Sequence, residues 1–221
     1  MPHKVAAISS TRRPLCYVGY LGYGLISMGK IKVITNVTLD GVMQSPARPE
    51  EDPRDGFRHG GWGAPYAAMQ QAEAGEAFTD MGALLFGRWT YESFYAYWPN
   101  QTNNPFTARL NNIRKYVVST TLDEPLPWSN SILIKDDVPR ALEKLKAEQD
   151  KDAVVFGSDL LVQSLMRWNL MDELTLLIHP LILGSGRRLF PSGGASAVLQ
   201  LRNAKTTSNG VVIVTYQLTN K

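Results

Sequence analysis

From residue 30 onward, short runs rich in β-branched and apolar residues alternate with segments of helical pattern. Such alternation is typical of an α/β domain, in which helices connect the strands of a largely parallel sheet. The predicted strands cover residues 31–39, 83–86, 115–119, 131–135, 153–156, 173–179, 198–206 and 210–218. Ser208-Asn209-Gly210 joins the last two as an antiparallel hairpin. Because no internal repeat or linker divides the body, we expect a single domain over residues 29–221.

Four helices are predicted from the apolar spacing and from residues that favour helix starts. They cover residues 64–78 and 90–97, and two more follow Asp137 and Ser158. Pro65 suits the first turn, where its missing N–H costs nothing. Thr90, Asp137 and Ser158 carry side-chain oxygens of the kind that cap helix N-termini. We therefore expect these three residues to act as N-caps.

Composition and charge argue against several classes of protein. The formal net charge of +3 arises entirely from Lys4, Arg12 and Arg13, because residues 1–28 contain no acid. The remaining residues sum to zero, and a neutral domain without a basic stripe argues against a nucleic-acid partner. Cys16 is the only cysteine, and the three histidines are far apart in the chain. Neither a disulfide nor a metal site is expected.

Residues 1–28 do not resemble the rest of the chain, because they are rich in Tyr and Gly without a helical or strand period. Arg12 and Arg13, followed by an apolar stretch, have the outline of an export signal. However, no small-residue cleavage site follows, and the first predicted strand begins at once. The stretch is also too short to span a bilayer. We interpret residues 1–28 as a disordered or wrongly assigned extension and expect a cytoplasmic protein without membrane attachment. Export is the alternative.

Three predicted strands end in glycine or hydroxyl residues. Ligands of open α/β sheets bind beyond such carboxyl ends, where helix N-termini offer free N–H groups to phosphates. The three corners are Phe86-Gly87-Arg88-Trp89-Thr90, Val118-Ser119-Thr120-Thr121 and Val155-Phe156-Gly157-Ser158. No GxGxxG or Walker motif accompanies them. The corners by themselves leave two interpretations open, a site for a phosphate-bearing cofactor or ordinary turns and helix caps.

A set of short motifs resembles one known family. Gly87-Arg88-x-Thr90-Tyr91-Glu92 is similar to the G-R-x-T-(F/Y)-E signature of the dihydrofolate reductase superfamily. Other segments resemble the riboflavin-pathway reductase branch of that superfamily. These are Leu39-Asp40-Gly41, Phe156-Gly157-Ser158-Asp159-Leu160, Asn169-Leu170-Met171-Asp172-Glu173-Leu174 and Pro180-Leu181-Ile182-Leu183-Gly184-Ser185-Gly186. Each motif is weak evidence alone, but together they keep the family's order over about residues 30–218.

The resemblance implies a dihydrofolate-reductase-like fold, a twisted and mostly parallel sheet with helices on both faces and a C-terminal antiparallel hairpin. It also implies an NADPH-dependent reductase of a flat nitrogen heterocycle, of pterin or ribosylamino-pyrimidine type. Cofactor-binding roles fall on Arg88, Thr90 and Gly87 for the phosphates, Ser119 and Thr120 for the 2′-phosphate, and Gly157, Ser158 and Leu160 for the pyrophosphate and nicotinamide side. The family branch further implies a homodimer, with residues 198–201 and 211–214 as contact strands or as ordinary core.

The substrate side is less defined. By resemblance Asp40 lies near the nicotinamide as a catalytic residue, although an Asp before Gly is equally typical of a turn. Trp62 either stacks on the substrate or packs its loop onto the core. Glu73 either grips the substrate or lies on a helix surface. The family's substrate-holding Glu is replaced by Val155. A non-catalytic nucleotide-binding or regulatory module with the same fold is therefore the alternative function.

Overall fold

The computed structural model describes residues 28–67 and 81–219 of the chain. Within them, a single sheet contains all the predicted strands. The strands are β1 (Ile31–Thr38), β2 (Met81–Gly87), β3 (Arg114–Val118), β4 (Ser131–Ile134), β5 (Asp152–Phe156), β6 (Glu173–His179), β7 (Leu199–Thr206) and β8 (Val212–Leu218). The helices are α1 (Arg88–Tyr97), α2 (Pro105–Asn112), α3 (Val138–Glu148) and α4 (Asp159–Arg167), with 3₁₀ turns at Arg54–Gly56, Ala64–Tyr66 and Trp98–Asn100.

The strand order is β4-β3-β2-β5-β1-β6-β8-β7. The six strands from β4 to β6 are parallel to one another, and β8 runs antiparallel to both β6 and β7. Parallel strands that are covered on both faces need apolar side chains on both faces. The near-continuous apolar runs of β2 and β5 meet this need, and both strands lie inside the sheet. The predicted parallel sheet and C-terminal hairpin are confirmed.

Helices cover both faces of the sheet. On one face, Leu165 of α4 packs in the same core cluster as Val33 of β1. On the other face, Tyr91 of α1 and Leu110 of α2 belong to a second cluster with Ile34. Val33 and Ile34 are adjacent, and successive side chains of a strand point to opposite faces. One strand therefore anchors both cores.

Helix α2 was not predicted from the sequence. Its N-cap is Asn104, whose side-chain oxygen accepts a hydrogen bond of 2.9 Å from the N–H of Phe106. Pro105 follows at the first helical position. An Asn-Pro pair of this kind is a recognisable helix start, since the side chain satisfies one orphan N–H and proline lacks another. The short length of the helix and its weak apolar period concealed it.

Of the three predicted N-caps, Thr90 is wrong, whereas Asp137 and Ser158 are correct in position but not in their capping hydrogen bonds. Thr90 lies inside the first turn of α1, whose N-cap is Gly87. Asp137 and Ser158 do occupy N-cap positions, but neither side chain makes a capping hydrogen bond. Both have left-handed backbone, with φ of 41° and 68°. This geometry differs from the extended backbone with which an N-cap oxygen usually reaches the next N–H groups.

Two predictions concern residues that lie outside the described ranges. The extension over residues 1–28 falls almost entirely there, and so does most of the predicted helix over 64–78, including Glu73. The described start of that helix is the 3₁₀ turn at Ala64–Tyr66. No helix among the described residues combines the length and apolar character needed to cross a membrane.

Candidate active site

A cleft of about 670 Å³ lies beyond the carboxyl ends of the central strands. Its floor includes Ile34 and Asn36 of β1 and Leu177 of β6. One wall is formed by the start of helix α1 together with the neighbouring segment 43–54. The corner between β5 and α4 closes one end. This is the place where the topology of a parallel sheet leaves a crevice for ligands.

Two of the predicted corners are joined directly at this end of the cleft. Ser158 Oγ accepts a hydrogen bond of 3.2 Å from the N–H of Gly87, which links the ends of the neighbouring strands β5 and β2. A Cβ atom on residue 87 would overlap that same hydroxyl, so any residue larger than glycine would displace it. Gly157 and Ser158 both have left-handed φ, of 62° and 68°. This backbone turns the chain sharply from β5 into α4.

The turn leaves backbone donors at the cleft. The N–H of Val162 forms a hydrogen bond of 2.9 Å to the carbonyl of Ser158, which opens the hydrogen-bond ladder of α4. The N–H groups of residues 159–161 precede it and have no carbonyl within the helix. Gly157, Ser158 and Asp159 line the cleft. This corner therefore has the backbone chemistry of an anion site.

The segment 43–54 is held against α1 by two arginines. Arg48 donates a 3.1 Å hydrogen bond to Ser93 Oγ, and its guanidinium lies 4.2 Å from the ring centroid of Tyr97. The guanidinium of Arg54 lies 4.3 Å from the ring centroid of Trp89. Stacking of a guanidinium on an aromatic ring is favourable because the ring face is electron-rich. These contacts give the wall a defined position.

Gln44 is the internal support of this wall. Its side-chain amide donates to the carbonyls of Asp52 and Arg54, at 3.1 and 2.9 Å, and accepts a 2.9 Å bond from the N–H of Arg187. Trp62 donates a 2.7 Å bond to the carbonyl of Gln44. The Trp62 side chain is buried and does not line the cleft. Its contacts match the packing alternative rather than stacking on a substrate.

Asp40 lies at the turn after β1, outside the residues that line the cleft. Its carboxylate accepts hydrogen bonds from the hydroxyl of Thr38 at 2.6 Å and from the N–H groups of Leu183 and Gly184, at 3.2 and 2.9 Å. The Thr38 hydroxyl is the largest influence that lowers the pKa of Asp40. Arg188 also contacts it, at 3.4 Å. These contacts match the turn-forming interpretation of Asp40.

The predicted cofactor-binding residues fall into two groups. Thr90, Gly157 and Ser158 line the cleft, and Gly87 is bonded to Ser158. Arg88 and Leu160 are exposed beside them. Ser119 and Thr120 lie further away, at the end of β3, because β2 stands between β3 and β5. Ser119 Oγ accepts from the N–H groups of Thr121 and Leu122, at 3.1 and 3.2 Å. The ligand roles of both groups stay predictions.

Glu51 was not selected from the sequence, yet it lines the cleft. Its Oε2 accepts hydrogen bonds from the N–H groups of Ala47 and Arg48, at 2.8 and 3.3 Å. Burial raises the pKa of the Glu51 carboxyl. The run Pro49-Glu50-Glu51-Asp52 lies in an aperiodic loop, so the sequence contains no signal that separates Glu51 from its acidic neighbours.

A second unpredicted pair joins β1 to β6. His179 Nε2 lies 3.0 Å from Asn36 Oδ1, and because a carbonyl oxygen only accepts, the proton resides on Nε2. Trp62 and Tyr66 pack edge-on against the imidazole, with ring centroids 4.9 Å away. Burial lowers the pKa of His179 to about 4. The neutral ring therefore fixes the Asn36 amide, which lines the cleft.

Solved structures share this fold. A putative riboflavin biosynthesis protein from Shewanella sp. PV-4 has a TM-score of 0.60 and 16% identity, over 86% of this chain and 99% of the other. A dihydrofolate reductase from Enterococcus faecalis, solved as a complex with NADP(H), has a TM-score of 0.52 and 14% identity, over 87% and 98% of the two chains. The chain thus has the dihydrofolate-reductase-like α/β fold.

Sequence comparison is more specific. The protein YyaP of Bacillus subtilis (strain 168), described as uncharacterized, is 30% identical over 171 residues, covering 73% of this chain and 88% of YyaP. A family model described as the RibD C-terminal domain matches residues 30–213. That match includes all the motifs whose order pointed to the reductase branch. The chain belongs to the RibD C-terminal domain family.

Proposed function

We propose that this chain is an NADPH-dependent reductase that delivers hydride to a flat nitrogen heterocycle of pterin or ribosylamino-pyrimidine type. The observation that carries the proposal is the cleft, which combines an anion-binding corner at Gly157 and Ser158 with an aromatic and apolar interior. Family membership supports the same class of reaction. The relatives with related folds include a pyrimidine reductase-like protein from Corynebacterium diphtheriae, with a TM-score of 0.57.

The residues at the corner fit a dinucleotide. Two of the guanidiniums that line the cleft are already paired, Arg54 with Asp52 at 2.6 Å and Arg187 with Asp159 at 2.8 Å. Phosphates would therefore be held by the first-turn N–H groups of α4, by Thr90 and by the exposed Arg88. Bound NADPH supplies the hydride, whereas the protein contributes binding, orientation and electrostatics.

The interior suits a flat ring. Phe94 and Phe156 stack with centroids 6.0 Å apart and an interplanar angle of 16°, and both line the cleft. Asn36 offers its amide N–H groups from the floor, because its Oδ1 is bonded to His179. Val155, at the position of the family's substrate-holding Glu, is fully buried in the core. A ribosyl group would therefore need a different polar partner in this chain.

Cofactor choice tests the proposal first. We expect NADPH to bind about tenfold or more tightly than NADH in a fluorescence titration, because only NADPH has the 2′-phosphate that cationic and hydroxyl donors recognise. Arg88→Ala should weaken the binding of both cofactors, because Arg88 is assigned to phosphates that NADPH and NADH share. Arg140→Ala, an exposed arginine of α3 that does not line the cleft, is the matched control and should change neither. Equal affinity of the wild type for both cofactors would contradict the proposal.

Substrate-dependent oxidation of NADPH is the second test of the proposed function. We expect the absorbance of NADPH to fall when the wild-type protein is mixed with NADPH and at least one compound from a panel of dihydropterins and ribosylamino-pyrimidines. NADPH binding without oxidation across the whole panel would instead support a non-catalytic nucleotide-binding module.

We also propose that the protein forms a homodimer through the β7 edge of the sheet. Val198 and Leu201 are 63% and 54% exposed there. The other predicted contact segment, residues 211–214, is largely buried within the fold and offers no such surface. Light scattering should give a mass about twice that of one chain. Leu201→Lys should lower this mass towards that of a single chain. A wild-type mass of a single chain would refute the dimer.

A further inference from the structure

Glu51 stands apart from the other acids of the cleft. Asp52 and Asp159 each form an ion pair with an arginine, at 2.6 and 2.8 Å. Among the residues that the structure describes, none forms an ion pair with Glu51. Its main chain is fixed as well, since Trp89 donates a 3.4 Å hydrogen bond to the Glu51 carbonyl from the start of α1. A half-buried, unneutralised carboxyl group is thus held at a defined place in the cleft wall.

The two oxygens of this carboxyl group are not equivalent. Oε2 accepts the N–H groups of Ala47 and Arg48. A carboxyl oxygen that accepts two backbone donors is the one that stays unprotonated, because a proton there would face those donors. In the described part of the chain no donor contacts Oε1. A proton on Glu51 therefore resides on Oε1, where it can be donated.

We propose that Glu51 is the proton donor of the reduction carried out in this cleft. The proposal rests on the proposed function and adds to it the identity of the acid and the class of bond reduced. The ring nitrogen of a flat substrate with a C=N bond accepts a hydrogen bond from the protonated Oε1 of Glu51. The acid is supplied by the segment 43–54, in the loop after β1 and beside α1, rather than by Asp40.

Reduction of the C=N bond uses one hydride and one proton. The C=N bond loses its π pair, the carbon gains a C–H bond with the hydride and its two electrons, and the nitrogen gains an N–H bond. The hydride comes from the reduced nicotinamide cofactor, which is the reductant. The proton leaves Oε1, and the resulting Glu51 carboxylate regains one from water. One NADPH and one proton are consumed for each C=N bond reduced.

The surroundings of Glu51 let its carboxyl group hold a proton to a higher pH than an exposed glutamate does. Burial is the largest influence and raises its pKa, and the negative charge of Asp52 acts in the same direction. Hydrogen bonds from the N–H groups of Ala47 and Arg48, and the charge of Arg48, oppose it. The other charged groups that line the cleft, Arg54, Asp159 and Arg187, are paired with each other or with Asp52.

The test uses Glu51→Gln in the full chain, with Glu50→Gln as the matched control. Glu50 is the adjacent residue, is 74% exposed and does not line the cleft. We expect Glu51→Gln to lower kcat by about 100-fold or more, with the NADPH Kd within about twofold of wild type. The wild-type kcat should fall as pH rises through the pKa of Glu51, and the variant should lack this dependence. Glu50→Gln should behave as wild type.

A second measurement needs no turnover. The carboxyl carbon of Glu51 can be followed by ¹³C NMR in glutamate-labelled protein, with its signal assigned from Glu51→Gln. Its titration midpoint should lie above the ordinary glutamate pKa, and a midpoint at or below that value would overturn the proposal. NADPH oxidation that persists in Glu51→Gln with an unchanged pH profile would overturn the role of Glu51 alone. Failure of the wild type to bind or oxidise NADPH would instead overturn the proposed function and this role with it.

Discussion

His179 should make the stability of this protein depend on pH in a way that a single substitution removes. The side chain is fully buried, and burial lowers its pKa from 6.5 to about 4. In the unfolded chain the imidazole takes up a proton near its ordinary pKa, whereas in the folded chain it stays neutral. The unfolded state therefore binds more protons between these two values, and stability is lost as pH falls through this window.

The magnitude follows from the two pKa values. A separation of this size costs about 3 kcal/mol once pH is below both values, and about 2 kcal/mol on going from about pH 7.5 to about pH 5. For a domain of this length, a loss of 2 kcal/mol lowers Tm by about 4–8 °C. The side chains of Asn36, Trp62 and Tyr66 contact the ring, and all three are uncharged.

The assay is urea unfolding of wild type and His179→Gln at a series of pH values. Glutamine keeps a donor for Asn36 Oδ1 but does not titrate, so the other acids contribute equally to both proteins and cancel in the difference. The variant will be less stable at neutral pH because the imidazole fills a packed site. The gap between the two proteins should then narrow by about 2 kcal/mol towards pH 5. If the unfolding free energies of wild type and His179→Gln fall by the same amount as the pH is lowered, His179 does not cause the pH dependence.

Three further predictions concern stability and binding. Gly87→Ala brings a methyl group onto Ser158 Oγ and should lower the free energy of unfolding by about 1–3 kcal/mol in urea, whereas adding Ser158→Ala should restore most of the loss. Asp40→Ala leaves the Thr38, Leu183 and Gly184 donors without their acceptor. It should lower Tm while the NADPH Kd stays within about twofold, and lost turnover at full stability would restore its catalytic role. Lys115→Met removes an ammonium that donates to three backbone carbonyls and should cost about 1–3 kcal/mol by urea unfolding.

Much of the architecture could be predicted from the chain because the strands differ locally from their surroundings. The runs MGALLFG and DAVVF carry apolar side chains on both faces, which is typical of strands covered by helices on both sides. Gly157 marks the end of β5 because its left-handed φ of 62° disfavours residues with a side chain. A backbone requirement of this kind acts on one residue at a time, so it is visible in sequence.

The candidate site was predicted only in part. The corners at Thr90 and at Gly157-Ser158 do line the cleft, since every parallel strand ends at the same edge of the sheet. The capping roles were wrong at Ser158 because its hydroxyl bonds to the neighbouring strand end, 71 residues away in sequence, rather than to its own helix. Local propensity does not encode a partner on another element.

Tertiary structure decided which polar residues face the cleft. Asp40 and Glu51 are both acids in irregular segments, yet Asp40 is held by the loop at 183–184 while Glu51 faces the cleft beside α1. His179 and Asn36 lie 143 positions apart and meet only because β6 pairs with β1. Side-chain chemistry is a property of the sequence, but the protonation and hydrogen bonding of each group depend on burial and on neighbours supplied by distant segments. These exist only once the chain has folded.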